Sequence, residues 1–295
     1  MKNIGNMLRS VAAIALTVFV SCTTSAKVHV SEINFHNEAT DTTRITEILK
    51  EASVIANPNE RVMFIAEKFV GTPYVAHTLE SDDLKERLTV NLDELDCTTF
   101  VETVFALAKT AGEHRTSWRD FVANLEEIRY RGGTLKDYPS RLHYISDWIV
   151  DNTHRGNVVE VSGQMPGYRT MEKTIDFMSR NASRYPALAD STTLAEIKGF
   201  EMGYRKHRYP YIPWNAVNNK GVKEKMIPGD MVAMLTKVNG LDVTHLGLLI
   251  KDEKGTPYLL HASLKGGKVE KSTLPLQEYL RKNDMPGIRL VRLKD

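Results

Sequence analysis

The fold is decided by the stretch Leu95-Asp96-Cys97-Thr98-Thr99-Phe100-Val101-Glu102-Thr103-Val104-Phe105. Apolar residues recur here every three or four positions and predict one buried helix face: Cys97, Phe100, Val101, Val104, Phe105 and Ala108. Asp93 or Asp96 can cap this helix, and Asp96 is the natural choice. Cys97 then lies in the first turn, where unpaired N–H groups and the helix dipole stabilise a thiolate. The thiol is either a nucleophile or the first residue of an apolar core face.

Residues 1–26 are typical of an export signal. Basic residues precede an apolar run at 11–20 that is too short to span a bilayer as a helix. The sequence Phe-Val-Ser-Cys that ends at Cys22 is similar to a bacterial lipobox, so we expect Cys22 to be lipidated. Ordinary signal cleavage after Ala26 is the alternative. In either case we expect an exported protein of the bacterial cell envelope, attached to a membrane only through this lipid.

Charge and cysteine content limit the classes of function that the sequence is expected to have. The formal charge of +2 comes from Lys2 and Arg9, because the remaining chain has 37 basic and 37 acidic residues. This balance gives no reason to expect binding to nucleic acid or to an anionic membrane. The chain has two cysteines, so Cys97 has no disulfide partner once Cys22 is lipidated or removed. A lone thiol in an exported protein favours catalysis over a buried inert cysteine.

The pattern before Cys97 predicts two helices. Residues 27–41 are polar and predict a tether, and a helix is expected over 42–56. Asn57-Pro58-Asn59-Glu60 then predicts a second helix start, and Gly71 ends that helix. Residues 77–91 are charged and predict a loop.

The sequence after Cys97 predicts helices followed by strands. Over 110–220 we expect helices at 118–128, 141–152, 171–180 and from 192 towards 207, with a strand at 157–161. After Pro228-Gly229-Asp230 we expect strands at 231–238, 243–250, 257–264 and 288–293, with a helix at 276–282. This order predicts an α+β fold. We expect one catalytic domain over 27–295 with a mainly helical insertion at about 110–220.

Two histidines on neighbouring predicted strands are candidate partners for the thiol. A nucleophilic thiol needs a base and a third group that orients the base. His245 and His261 are equidistant from Glu253, at the centre of the predicted turn. That pairing places both on one face of the sheet, roughly 5 Å apart at Cβ. A one-residue slip would place them on opposite faces, and each histidine could also be purely structural.

Five short motifs together resemble the NlpC-type superfamily of papain-like cysteine hydrolases from bacterial cell walls. The motifs, in the family order, are GTPYV (71–75), DCTxFV (96–101), PGD (228–230), HLGL (245–248) and LHAS (260–263). The resemblance implies a nucleophile helix packed on an antiparallel sheet. It also implies that Cys97 is the nucleophile, His245 the base and His261 the orienting group. Tyr74 would line the site and help the Cys97 N–H to stabilise the oxyanion.

The 148 positions between Cys97 and His245 exceed the spacing in compact members of that superfamily. The sequences LDCTTFVE (95–102) and SRLHYxxDWI (140–149) are similar to its N-acetylmuramoyl-L-alanine amidase-like branch. That branch implies cleavage of the amide between the muramic acid lactyl group and the first L-alanine of the stem peptide. The inserted residues would then build the walls of a selective cleft.

Six residues of the insertion are candidate substrate contacts: Arg141, His143, Tyr144, Asp147, Tyr211 and Trp214. The first four lie on the less apolar side of a predicted helix, where the alternative is a solvated face with a His143–Asp147 pair. Tyr211 and Trp214 either line a sugar site or wedge the insertion against the core.

The predicted reaction is attack of a Cys97 thiolate, paired with imidazolium His245, on the amide carbonyl. We expect no metal, no cofactor and a monomer that binds peptidoglycan or muropeptides. Three alternatives stay open: a zinc amidase, a γ-D-glutamyl-diamino acid endopeptidase, and a non-catalytic wall-binding module. The zinc alternative is disfavoured because the sequence has no H-E-x-x-H or comparable ligand spacing.

Overall fold

The computed structural model describes residues 33–295. The predicted signal segment with Cys22, and residues 27–32 of the predicted tether, lie outside the described residues. The helices are α1 (Glu38–Ala52), α2 (Pro58–Glu67), α3 (Cys97–Gly112), α4 (Trp118–Arg129), α5 (Ile145–His154), α6 (Phe177–Arg180), α7 (Ser191–Met202), α8 (Lys220–Lys225) and α9 (Leu276–Lys282). The strands are β1 (Ile33–Phe35), β2 (Leu88–Val90), β3 (Val158–Glu160), β4 (Arg169–Lys173), β5 (His207–Pro213), β6 (Met231–Leu235), β7 (Val243–Lys251), β8 (Pro257–Ser263), β9 (Lys268–Lys271) and β10 (Gly287–Leu293). The α+β class is therefore confirmed.

The segments before α3 are more ordered than the sequence predicts. The tether prediction is wrong for 33–41, where β1 is followed by α1, which begins at Glu38 because the Asn37 side chain accepts the Thr40 N–H. The loop prediction for 77–91 is wrong at β2, which pairs in parallel with β1. All three residues of β2 are buried, so the strand has no alternating pattern to reveal it.

The predicted start of α2 is confirmed, whereas its last residue, Glu67, lies four residues before the predicted end at Gly71. The Asn57 side chain accepts the N–H groups of Asn59 and Glu60, and Pro58 occupies the first helical turn. Gly71 follows the helix with φ of 92°, a conformation that glycine adopts without a Cβ penalty. The Gly71 N–H donates to the Val269 carbonyl, which ties the helix exit to β9.

The helix that begins at Cys97 lies at the centre of the protein. It packs against α1, α2 and α4 on one side and against β7 and β8 on the other. Its apolar residues belong to a core cluster that also contains Leu246, Leu248, Leu260 and Ala262 of the sheet. The α3 face predicted from sequence is thus buried, and it fixes the first turn of α3 against β7.

The insertion contributes strands as well as helices. The predicted helix at 171–180 is wrong, because residues 169–173 form β4, which pairs with β5, and only the short α6 follows. The predicted helix at 141–152 begins at Ile145 instead. Ser140 ends a 3₁₀ turn in which its hydroxyl donates to the Asp137 carbonyl, so its side chain does not cap α5.

The main sheet has eight strands in the described chain, in the order β4-β5-β10-β6-β7-β8-β9, with β3 also paired to β10. All its pairings are antiparallel. The face opposite α3 carries a second apolar cluster that includes Leu249, Leu259 and residues of α8 and α9. The insertion therefore extends the sheet through β3, β4 and β5, while most of its residues in regular secondary structure are helical.

Candidate active site

Cys97 is the first residue of α3 and is partly exposed. The predicted Asp96 cap is confirmed: one carboxylate oxygen accepts the N–H groups of Thr98 and Thr99 at 2.9 and 2.8 Å. The Thr99 hydroxyl accepts the Asp96 N–H in return at 2.9 Å, which completes a capping box. These bonds fix the backbone of the turn that carries the thiol.

The thiol lies beside β7 at the point where β7 and β8 separate. Successive residues of a strand direct their N–H groups alternately to the two neighbouring strands. The Leu249 N–H donates to the Asp230 carbonyl on the β6 side, so Leu246, three residues earlier, directs its N–H towards β8. Pairing between β7 and β8 ends at Leu248 and Leu260, which leaves the Leu246 N–H available. That N–H acts on Cys97 and lowers the pKa of its thiol. The sulfur therefore lies near the β7 backbone at Leu246, the residue after His245.

The two histidines form one hydrogen-bonded pair. Nε2 of His245 and Nδ1 of His261 are 2.6 Å apart, and the rings cross at 79°. The predicted pairing about Glu253 is wrong by two residues, because the observed register places His261 opposite Gly247 and His245 diagonal to it. A displacement of two residues keeps the same face, so both rings still meet. A Cβ on Gly247 would lie 3.0 Å from that of His261, so a side chain here would press on the His261 side chain.

Two tyrosines border the thiol and the histidine pair. Tyr279 of α9 stacks on the His245 ring at 6.3 Å and meets the His261 ring edge at 5.5 Å. Nothing in the sequence pattern indicates a role for Tyr279 beyond its place in a predicted helix. Tyr74 is held by its own N–H to Gly267 and by a parallel bridge to Leu95, the residue two before Cys97. Burial, followed by the charges of Cys97 and Asp96, raises the pKa of Tyr74 to about 12, so its hydroxyl keeps its proton.

Burial dominates the protonation of the site. It raises the pKa of Cys97 to about 11, with Asp96 acting in the same direction and the Leu246 N–H opposing. Burial and the neighbouring His261 lower the pKa of His245 to about 3, and burial lowers that of His261 to about 4. The resting pair is therefore a neutral thiol and a neutral imidazole. This differs from the thiolate–imidazolium pair expected from the helix dipole alone.

Two cavities flank this centre. The first, of about 670 Å³, is bordered by Asp96, the cap of α3, by Thr98 and Glu102 of α3 and by inserted residues. The second, of about 980 Å³, is lined by His245, His261 and the β8–β9 turn. Cys97 lies in sequence between Asp96 and Thr98, which line the first cavity, and near the strand whose His245 lines the second.

Three of the six predicted substrate contacts line the first cavity: Arg141, His143 and Tyr144. Arg141 forms ion pairs with Glu80 at 2.7 Å and Glu86 at 3.4 Å. The Tyr144 hydroxyl donates to Glu201 at 2.7 Å and accepts the Met178 N–H at 2.6 Å. The functional polar groups of both residues are thus used within the protein.

The other three predicted contacts are not among the residues that line this cavity. Asp147 pairs with Arg131 at 2.5 Å and accepts the Tyr204 hydroxyl, so the His143–Asp147 pair of the solvated-face alternative is not formed. The reason is that α5 begins after His143. Tyr211 packs against the larger apolar cluster and Trp214 against the second, as the wedge alternative expects.

Residues 33–295 contain no group of three or more metal-ligating side chains arranged to hold an ion. Over the same residues, no helix has the length and apolar character needed to cross a membrane.

Comparison with known proteins identifies the class of the chain. The sequence profile of the AmiA-like family, described as N-acetylmuramoyl-L-alanine amidase-like, matches residues 64–288. This match covers more than half of the chain, so the chain belongs to that family. The family supports amide hydrolysis on peptidoglycan as the general activity. No protein with curated functional information matches the chain.

Solved structures agree with this assignment. An N-acetylmuramoyl-L-alanine amidase from Bacteroides uniformis ATCC 8492 is 36% identical, with 81% of this chain and 99% of that chain covered and a TM-score of 0.76. A Bacteroides fragilis structure, provisionally described as a xylanase, is also 36% identical, over 77% of this chain and 99% of that chain, with a TM-score of 0.72. A Legionella pneumophila protein shares the fold at 20% identity, covering 88% of this chain and 96% of that chain, with a TM-score of 0.66.

Proposed function

We propose that this protein is a cysteine N-acetylmuramoyl-L-alanine amidase, with Cys97 as nucleophile, His245 as base and His261 as the orienting group. One observation carries the proposal. The N–H of Leu246, the residue after His245, acts on the thiol and lowers its pKa, and the His245 ring is itself oriented by a 2.6 Å bond to His261. Nucleophile, base and orienting group are the three parts that such a hydrolase needs.

The histidine pair determines which ring nitrogen exchanges the proton. Nε2 of His245 is occupied by His261, which leaves Nδ1 to face the reaction. Because the resting thiol and imidazole are neutral, the proton moves from sulfur to Nδ1 as sulfur attacks the amide carbonyl. His261 holds the ring in place during the transfer and stabilises the imidazolium that forms.

The remaining steps follow from the same groups. The carbonyl oxygen becomes an oxyanion, which the Cys97 N–H and the protonated Tyr74 hydroxyl stabilise. The C–N bond then breaks, and Nδ1 of His245 returns its proton to the departing amine. Water attacks the resulting thioester, gives up a proton to His245 and releases the acid with the free thiol.

The proposed substrate is the amide between the muramic acid lactyl group and L-alanine, in peptidoglycan or muropeptides. The family and the amidase neighbours support this bond. We also propose that the protein acts in the cell envelope, as a monomer with one catalytic domain over 27–295. Its anchor would be a lipid on Cys22.

The test is a muropeptide panel digested with the wild type, Cys97→Ala and the control His154→Gln, an exposed histidine at the end of α5. Mass spectrometry should show the intact stem peptide released by the wild type and the control but not by Cys97→Ala. Release of fragments cut after γ-D-glutamate would instead show an endopeptidase. Full turnover by Cys97→Ala would refute the cysteine mechanism.

A further inference from the structure

His143 is held in a fixed orientation on the wall of the first cavity. Its Nε2 lies 2.8 Å from the Tyr138 carbonyl oxygen, and its ring packs on the Tyr138 ring with centroids 4.5 Å apart. A carbonyl oxygen only accepts hydrogen bonds, so Nε2 must carry the proton. Within residues 33–295, no hydrogen bond engages the other ring nitrogen, Nδ1. His143 is also a lining residue of the cavity.

The charge state of His143 follows from its surroundings. Burial, with the neighbouring Arg141 acting in the same direction, lowers the pKa of His143 to about 3. At neutral pH the ring is uncharged, and with Nε2 protonated its Nδ1 is a hydrogen-bond acceptor. The ionic groups beside it, such as Arg141, are already paired. The cavity therefore presents a neutral acceptor whose position is set by the Tyr138 carbonyl.

The two cavities differ in charge. In the first, Glu80 is paired with Arg141 and Glu102 with Arg129, which leaves Asp82 and Asp96 against Arg184, a small excess of acidic groups. The second has Lys265 and Lys282 against Glu270, an excess of basic groups. A stem peptide carries several carboxylates, whereas muramic acid is uncharged once its lactyl group is bound in an amide. Charge therefore favours the peptide in the second cavity and the sugar in the first.

We propose that Nδ1 of His143 accepts a hydrogen bond from the acetamido N–H of the muramic acid residue, which makes His143 a specificity determinant for the N-acetyl group. This inference rests on the proposed amidase function. An acetamido group combines one N–H donor with an apolar methyl group. The same cavity offers apolar side chains for the methyl group, from Leu142, Met178 and Leu241.

Two substitutions of His143 separate its proposed role in substrate recognition from its hydrogen bond to Tyr138. The amide of His143→Gln can reach the position of Nε2 and keep the bond to Tyr138, but it removes the acceptor at Nδ1. The amide oxygen of His143→Asn lies near the position of Nδ1 and keeps the acceptor, but the bond to Tyr138 is lost. We expect the Gln variant to lower kcat/KM on an N-acetylated muropeptide about tenfold, the size of one hydrogen bond. The Asn variant should recover most of that loss while lowering Tm.

A matched substrate identifies the donor. In a muropeptide whose 2-acetamido group is replaced by 2-O-acetyl, an oxygen stands where the N–H was. The wild type should cleave this substrate about tenfold less well than the acetamido form, whereas the Gln variant should cleave both about equally. His154→Gln, the surface control, should discriminate as the wild type does.

The outcomes distinguish this inference from the proposed function. If the change to the 2-O-acetyl substrate lowers kcat/KM by the same factor in the wild type and the Gln variant, His143 does not bind the acetamido N–H. The inference is then wrong, although the amidase assignment stands. The same holds if the Gln variant is as active as the wild type on the acetamido substrate. If the wild type releases no stem peptide from either substrate, the amidase assignment fails and the inference fails with it.

Discussion

The ion pair between α3 and α4 should be a main determinant of stability. Arg129 of α4 and Glu102 of α3 are 2% and 3% exposed, with Nε and Oε2 2.6 Å apart. Arg129 also donates to the Thr89 carbonyl of β2 at 2.8 Å. Arg129→Met would leave a buried carboxylate without its cation and a β2 carbonyl without its donor. Breaking a buried pair in this way costs about 3–5 kcal/mol, which in a chain of this size lowers Tm by roughly 6–20 °C.

Urea and thermal unfolding can measure this loss against an internal control. Lys109→Ala removes the i,i+4 pair with Glu113 on the same helix, where the side chains are 21% and 32% exposed. That change should cost only about 0.3–0.5 kcal/mol. The double variant Arg129→Met/Glu102→Leu should regain most of the stability, because no unpaired charge stays buried. A loss below about 1 kcal/mol for Arg129→Met, or a double variant no more stable than the single, would refute the reasoning.

Further predictions concern the histidines, the thiol and one glycine. Three histidines have lowered pKa values in the folded protein, so below pH 6.5 the unfolded chain binds more protons than the folded one: His143, His245 and His261. As the pH falls from about 6.5 to 4, each of them should lower the free energy of unfolding by up to about 1.4 kcal/mol per pH unit. Urea midpoints that do not change with pH would contradict this. Alkylation of Cys97 by iodoacetamide should accelerate steadily from pH 7 to 9.5, because its pKa is raised to about 11; a plateau near neutrality would show a resting thiolate. Gly247→Ala should displace His261, whose Cβ lies 3.0 Å from the added one, and lower kcat at least tenfold; steady-state kinetics that match the wild type would exclude that displacement.

Local signals predicted the elements nearest the thiol. The Asp96 cap and the apolar stripe fixed α3, and Asn57 with Pro58 fixed the start of α2, because these patterns act within one or two helical turns. The sequence correctly predicted that His245 and His261 lie on the same face of the sheet, but it wrongly placed them directly opposite each other. The turn between β7 and β8 is centred one residue later than Glu253, with Gly255 at φ of 73°. A change of one residue in the turn centre moves the pairing by two, so the face is preserved.

Long-range contacts explain what the sequence could not predict. Residues 169–173 have a helix-compatible composition, but they pair with β5, a strand distant from them in sequence. Ser140 looks like a helix cap, yet its hydroxyl is used by the preceding turn. Tyr279 reaches the histidines only because α9 packs across the face of the sheet opposite α3. Each of these depends on neighbours distant in sequence.

The insertion belongs to the active site, because its contacts build one wall of the first cavity and fix that wall to the sheet. Arg289 of β10 pairs with Glu160 and donates to Ser146 of α5, and Asp242 accepts the Ser146 N–H. On the cavity side, Arg141 is neutralised by Glu80, and the Tyr144 hydroxyl is used twice. The polar residues that appeared most suited to substrate thus hold the wall together. A wall whose charges are compensated internally is suited to a neutral ligand. The proposed hydrogen bond from the acetamido group to uncharged His143 fits such a wall.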